Sequence, residues 1–144
     1  MLQAIKVRIY PNAEQEAYIR RLLGCCRFAY NACLRYRKSS WEESGTSVSD
    51  CDTIKHLVPL KQEFPFLAEV HSKVVQQSVR DLNKAYGNFF KEHRGYPRFK
   101  SKKDNRDRCR FPKDAIIGVQ GNRISLIKPL KTYTSSVRQG TNAD

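Results

Sequence analysis

Residues 12–35, NAEQEAYIRRLLGCCRFAYNACLR, decide how the rest of the chain is read. Asn12 and Gln15 stand three positions apart, the spacing at which two side chains satisfy backbone groups left free by a first helical turn, so a long helix is expected to begin here. Advancing 100° per residue, Ile19, Leu22, Leu23, Cys26, Ala29, Tyr30, Cys33 and Leu34 gather on one side. Arg20, Gly24, Arg27, Asn31 and Arg35 gather on another. One face therefore packs and the other is cationic. The helix is expected to end near Trp41 or Glu43, where Ser44, Gly45 and Thr46 break it.

Upstream, Ile5, Val7 and Ile9 alternate with Lys6, Arg8 and Tyr10, the pattern of a half-buried strand over residues 3–10 that stops at Pro11. Downstream, residues 49 to about 57 are expected to form a shorter helix interrupted by Pro59. A third helix is expected from near Ser72, with Val75, Val79, Leu82, Ala85, Tyr86, Phe89 and Phe90 on one stripe and Lys73, Gln76, Arg80, Gly87 and Lys91 on the other. The aromatic end of the first stripe shares its face with Val75 and Leu82 and is read as core rather than as a base-stacking platform. The two cationic faces are expected to meet in one cradle.

Between residues 94 and 113 stand nine basic residues, Arg94, Arg98, Lys100, Lys102, Lys103, Arg106, Arg108, Arg110 and Lys113, against Asp104 and Asp107, a net of +7. Residues 101–107 show no periodicity and read as an exposed loop that orders on a charged partner. Strand character then returns: Ile117 and Val119 alternate, as do Ile124 and Leu126, about a reversal at Gly121-Asn122. Residues 131–144 are rich in Thr, Ser and Asn and are expected to form a flexible tail.

The whole chain carries 27 Lys and Arg against 14 Asp and Glu, a formal charge of +13, and this self-repulsion points to a polyanionic partner, nucleic acid first. No apolar run is long enough to span a bilayer and Met1 leads into a strand, so no membrane partner and a cytoplasmic, nucleoid-associated location are expected. Cys25, Cys26, Cys33, Cys51 and Cys109 contain no C-x-x-C pair, their number is odd, and reduced thiols are the simpler reading. His56, His71 and His93 lack metal-ligand spacing, so neither a metal nor another cofactor is expected.

The order of signals carries further than any one of them. The strand ending Arg8-Ile9-Tyr10-Pro11 is followed by Leu23-Gly24-x-x-Arg27-Phe28-x-Tyr30-Asn31, then by Val75-Gln76 and Leu82-x-x-Ala85-Tyr86 with Phe89-Phe90, then by Gly95-Tyr96-Pro97-Arg98-Phe99-Lys100. This ordered set, spanning residues 5 to about 126, resembles the N-terminal half of TnpB (OrfB-type) insertion-sequence proteins, relatives of compact CRISPR nucleases. The resemblance implies an α+β fold: a helical recognition domain of about three helices, of helix-turn-helix type, inserted into an incomplete β-barrel. Residues 1–10 would be the first strand of a wedge-type barrel, 11–95 the recognition domain, 96–130 the basic loop and resumed strands, and 131–144 the tail.

The resemblance also implies a guide RNA and target DNA as partners. Ser72, Lys73 and Gln76 would begin the helix pointed at a short motif beside the DNA target, with Lys73 departing from the family's pattern. Further nucleic-acid contacts, to phosphate or base edges, are assigned to Arg20, Arg27, Asn31, Arg35, Arg80, Arg98, Lys100, Lys102, Lys103, Arg106, Arg108 and Arg110. Taken alone, the face bearing Arg20, Arg27, Asn31 and Arg35 is the solvated side of an ordinary surface helix, and it is the resemblance that turns it into a binding surface. Gly24 and Gly87 read either as tolerated or as places where a nucleic-acid backbone comes close. The family's catalysis resides in a RuvC-like domain with three separated acids and two metal ions. Nothing in these residues supplies it, so no catalytic residue and no enzymatic activity are expected. A stand-alone DNA-binding regulator, a recognition subunit completed by a separate nuclease subunit, and a general RNA-binding protein stand as alternatives.

Overall fold

The computed structural model describes residues 4, 6 and 8–112, together with the course of three strands at 116–120, 123–127 and 132–138. A short strand β1 (Arg8–Tyr10) leads into the 32-residue helix α1 (Ala13–Ser44). The capping pair forms as expected: the Gln15 N–H donates to Asn12 Oδ1, and the Asn12 N–H to Gln15 Oε1, each at 2.9 Å. At the far end Gly45 takes the left-handed conformation, φ 64°, and its N–H donates to the Trp41 carbonyl. This conformation favours glycine, which lacks the Cβ that makes it costly for other residues.

The expected second helix is two. α2 (Asp50–Lys55) is capped by Ser49, and α3 (Leu57–Glu63) follows after His56. The break falls upstream of Pro59 for a physical reason. In a continuous helix the Pro59 nitrogen would have to donate to the Lys55 carbonyl, which it cannot do, whereas in the first turn of α3 the missing N–H costs nothing. A 3₁₀ turn (Pro65–Glu69) then delivers the chain to α4 (Ser72–Glu92), which starts where the sequence placed it.

α1 and α4 form the centre of the molecule and run in the same sense. Ser78 Oγ donates to the Cys26 carbonyl at 2.8 Å, and further along both helices Arg37 donates to Asn83 Oδ1 at 3.0 Å. Leu22, Ala29, Cys33 and Leu34 on α1 meet Val74, Val75, Val79 and Leu82 on α4, closed from above by Leu57, Leu60 and Leu67. Each fully buried aliphatic side chain of this set contributes roughly 1.5–3 kcal/mol. Cys26 and Cys33 serve as small apolar residues here, and burial raises both thiols to about 12. All five cysteines are free.

After α4 the chain crosses the helices and returns to strands β2 (Ile116–Gln120), β3 (Arg123–Ile127) and β4 (Thr132–Arg138). With β1 they make an antiparallel sheet in the order β1-β4-β3-β2. The helices thus stand in the chain between the first strand of this sheet and the other three. Part of the expected tail is instead β4, which lies between β1 and β3 with Ile9 opposite Val137 and Leu126 opposite Tyr133. Residues 5 and 7 of the expected first strand, the Gly121-Asn122 reversal and the tail residues 139–144 lie outside the described residues.

The aromatic stripe of α4 is core only in part. Tyr86 is buried, but Phe90 is 63 % exposed, because α1 presents at that level Trp41, itself 63 % exposed, and the two do not close over one another.

Candidate nucleic-acid interface

Residues 97–112, which include the 101–107 loop expected to order on a partner, lie as a strap across the seam of α1 and α4. Pro97 is buried, and Cys109 and Phe111 pack against the helical core. Asn31 holds the backbone of Lys100 with two hydrogen bonds, donating to its carbonyl at 2.9 Å and accepting its N–H at 2.8 Å. The Lys100 ammonium sits 4.3 Å from the centre of the Tyr30 ring, a cation–π contact. Arg27 pairs with Asp107 at 2.5 Å and Arg110 with Asp81 at 2.6 Å. Between these anchors a 3₁₀ turn (Lys102–Asp104), capped by the Ser101 hydroxyl, turns out through Asn105 at φ 47°.

Anchoring consumes one of the strap's two acids. Asp107 is held inward by Arg27, while Arg98, Lys102, Lys103, Arg106 and Arg108 are exposed and form no ion pair among the described residues. Fixed side-chain charges on an ordered backbone can meet successive phosphates without first paying for the ordering of the loop.

Two further grooves carry basic residues. The first follows the outward face of α1 and is floored by Gly24, Asn31 and Arg35, with Arg27 on its edge and Tyr36 stacked on His56 at 4.1 Å along its wall. Burial lowers the pKa of His56, and Glu63 opposes the shift. The second lies between α2 and α4 and contains Arg80, Lys84, Gly87 and Lys91, with Asp50 at one end. A Cβ on Gly87 would meet nothing within 4 Å, and one on Gly24 only the end of Arg27 at 3.9 Å, so neither glycine is required by packing.

The single cradle expected from two cationic helices does not form. Arg27 and Arg80 line different grooves. Two amphipathic helices that pack through their apolar faces turn their polar faces away from one another, which sets these residues apart. The strap adjoins the α1 groove through Arg27.

The remaining expected residues fall as follows. Ser72 and Lys73 are exposed in the first turn of α4 and Gln76 is half-buried, beneath an N-cap, His71, that makes no side-chain capping bond. Arg20 is exposed and pairs with Glu16 one turn back at 2.7 Å, a surface contact of little energetic weight. Lys84 belongs to the basic stripe of α4 and was overlooked, although it stands one turn beyond Arg80. Arg37 was overlooked as well. Its side chain is only 9 % exposed, it lies 3.3 Å from Asp50, and its guanidinium stacks 3.9 Å from the Tyr86 ring centre. Its 100° phase puts it with Cys26 and Tyr30, the signal that could have revealed it.

Among the described residues no group of three or more His, Cys, Asp or Glu side chains could hold a metal ion, and no helix is long and apolar enough to cross a membrane.

Comparison with known proteins adds four observations. A family model for the helix-turn-helix domain of OrfB-type insertion-sequence proteins matches residues 1–46. A putative RNA-guided DNA endonuclease of Streptomyces pristinaespiralis is 37 % identical over 116 residues, 79 % of this chain and 29 % of that protein. The putative RNA-guided DNA endonuclease InsQ of Escherichia coli is 34 % identical over 129 residues, 88 % of this chain and 32 % of InsQ. The chain thus spans about a third of the length of these two relatives. The virulence protein VsdF of Salmonella dublin is 33 % identical over 113 residues, which cover 71 % of this chain and 95 % of VsdF.

Proposed function

The chain belongs to the TnpB (OrfB-type) family of transposon-associated, DNA-binding proteins, and from that premise we propose that the described residues bind a guide RNA and its target DNA without themselves cleaving either. The observation that carries this reading is the strap: five exposed cations, Arg98, Lys102, Lys103, Arg106 and Arg108, on a backbone fixed to the helices by Asn31, Arg27 and Asp81. Such a row binds phosphates of any sequence. Sequence reading falls to the first turn of α4, where the Gln76 amide and the Ser72 hydroxyl can meet base edges in a major groove. The Arg80, Lys84 and Lys91 stripe would then follow the duplex backbone.

Cleavage belongs elsewhere in this reading. Three of the acids that border the basic surfaces are engaged in holding the fold, Asp107 with Arg27, Asp81 with Arg110 and Asp50 with Arg37. The four-stranded sheet is the part of a wedge-type barrel these residues contribute, and the protein works on the nucleoid.

The test is to purify the chain from its host, sequence the nucleic acid that accompanies it, and footprint DNA with and without that RNA. Sequence-specific protection that requires the RNA is the expected result. Equal protection without RNA would overturn the guide and favour a stand-alone regulator, and no co-purifying nucleic acid would overturn the binding itself.

A further inference from the structure

Both limbs of the strap, residues 99–101 before its 3₁₀ turn and 106–110 after it, line a depression of about 520 Å³. Asp104 from the turn, Tyr30 of α1 and Asp81 of α4 complete the lining. The volume falls within the roughly 300–1,000 Å³ of sites that take one small molecule, so it suits a single nucleoside and not a stretch of duplex.

Several groups of the lining are already engaged. Asp107 pairs with Arg27, Asp81 with Arg110, and the Lys100 ammonium covers the Tyr30 ring. What remains is the ring of Phe99, 48 % exposed, together with the Asp104 carboxylate and the guanidinium groups of Arg106 and Arg108. The side chains of Asp104, Arg106 and Arg108 have no hydrogen-bond or ion-pair partner among the described residues.

These groups make different demands on an occupant. Phe99 offers a ring to a flat group, and the two guanidinium groups suit a phosphate. Asp104 can only accept hydrogen bonds, so the flat group must present donors to it. A peptide lysine or arginine is disfavoured by the four cations of the same lining, Lys100, Arg106, Arg108 and Arg110. Among the described residues no cluster could hold a metal ion.

The remaining choice is between bases. Guanine presents two adjacent donors along its pairing edge, N1–H and the N2 amino group, which one carboxylate accepts together. Adenine and cytosine present a single amino group beside an acceptor nitrogen, and uracil one N–H between two carbonyl groups. Each of those three sets an acceptor against Asp104.

We propose that this depression takes one unpaired guanosine nucleotide of a nucleic-acid strand, with its base on Phe99, its N1–H and N2 amino group on Asp104, and its phosphate on Arg106 and Arg108. The inference rests on the nucleic-acid-binding reading above and gives the strap, otherwise indifferent to sequence, one position that reads a base.

Fluorescence anisotropy of the full chain tests it with labelled ten-nucleotide oligouridylate strands whose one central position is guanosine, inosine, adenosine, cytidine or uridine. Their DNA counterparts, and hairpins in which the same position is paired, are measured alongside. The guanosine strand is expected to bind on the order of ten-fold more tightly than those with the other three ordinary bases. Inosine, which lacks the N2 amino group, falls between, and the hairpins bind alike. Asp104→Asn, at an exposed position, removes a negative charge, so it binds the all-uridine strand at least as well as the wild type while losing the preference for guanosine. Phe99→Ala lowers affinity for the guanosine strand on the order of ten-fold and leaves the hairpins unaffected. A preference for guanosine in RNA, in DNA or in both supports the pocket and names the strand it serves. Equal affinity for all central bases, a preference that survives Asp104→Asn, or no effect of Phe99→Ala overturns the pocket and leaves the strap reading intact. Failure to bind any strand overturns both.

Discussion

Asn31, in the middle of α1, pairs with the backbone of Lys100 much as one strand pairs with its neighbour, giving and receiving one hydrogen bond each. A residue chosen for its place on a cationic face is thus the clasp that turns a basic segment into a fixed surface. Asn31→Ala leaves the Lys100 amide and carbonyl without these partners and is expected to cost about 1–3 kcal/mol. Limited trypsin digestion reads the effect directly: cleavage between residues 100 and 108 should accelerate before the helices open. Unchanged cleavage would mean that the clasp does not hold the strap.

Replacing Lys102, Lys103, Arg106 and Arg108 by Ala should weaken affinity for every nucleic acid tested and flatten the dependence of log K on log salt by up to about 4 units. Fluorescence anisotropy across a salt series measures this. A slope equal to that of the wild type excludes phosphate contact by the strap.

Gly24 and Gly87 sit on the floors of the two basic grooves with room around them. Gly87→Ala should stabilise α4 by about 1 kcal/mol, since a helix interior favours Ala by that amount. If a backbone is received there, the same variant loses affinity while gaining stability, a combination that chemical denaturation and binding assays separate. Gain of both would make the glycine merely tolerated.

Gln76→Ala and Arg80→Ala should differ in kind. Loss of a bidentate amide–base contact costs about 1–3 kcal/mol on a preferred sequence and nothing on a random one. Loss of Arg80 weakens both alike. Competition between the two duplexes distinguishes them, and identical behaviour of the variants would remove Gln76 from sequence reading.

Stability should fall at high pH. Burial raises Cys26 and Cys33 from near 9 to about 12, and Tyr86 is raised by burial and by its hydrogen bond to Tyr96. Above pH 9 the unfolded chain releases these thiol protons while the folded chain keeps them, so unfolding is favoured progressively from about 9 towards 12. The Tm is expected to decline across pH 8–11, with a shallower decline in Cys33→Ala. A flat profile would contradict the burial of these thiols.

What was legible in the chain was local. Asn12 and Gln15 cap α1 because both partners lie within one turn, and Ser72 opens α4 on the strength of a stripe that continues for five turns. The consequence of Pro59 appears four residues earlier, at the carbonyl it cannot serve. β4 resembles a tail in sequence because it is poor in apolar residues, although Thr132, Tyr133, Thr134 and Val137 are strand-favouring types. The strap was illegible for another reason: Arg27 and Asp107 lie 80 positions apart, and nothing in the sequence of either names the other. Composition points to a polyanion, but the division of the charge between two grooves follows from how α1 meets α4.

The sheet order carries a consequence for biosynthesis. Arg8, Ile9 and Tyr10 leave the ribosome well before their partners, Arg138, Val137 and Ser136. The helices can assemble as they emerge, since most of their contacts lie within one stretch of about eighty residues, but β1 must wait until residues 136–138 have been made. Until then its edge stands open, and the rate at which translation reaches residue 138 sets how long.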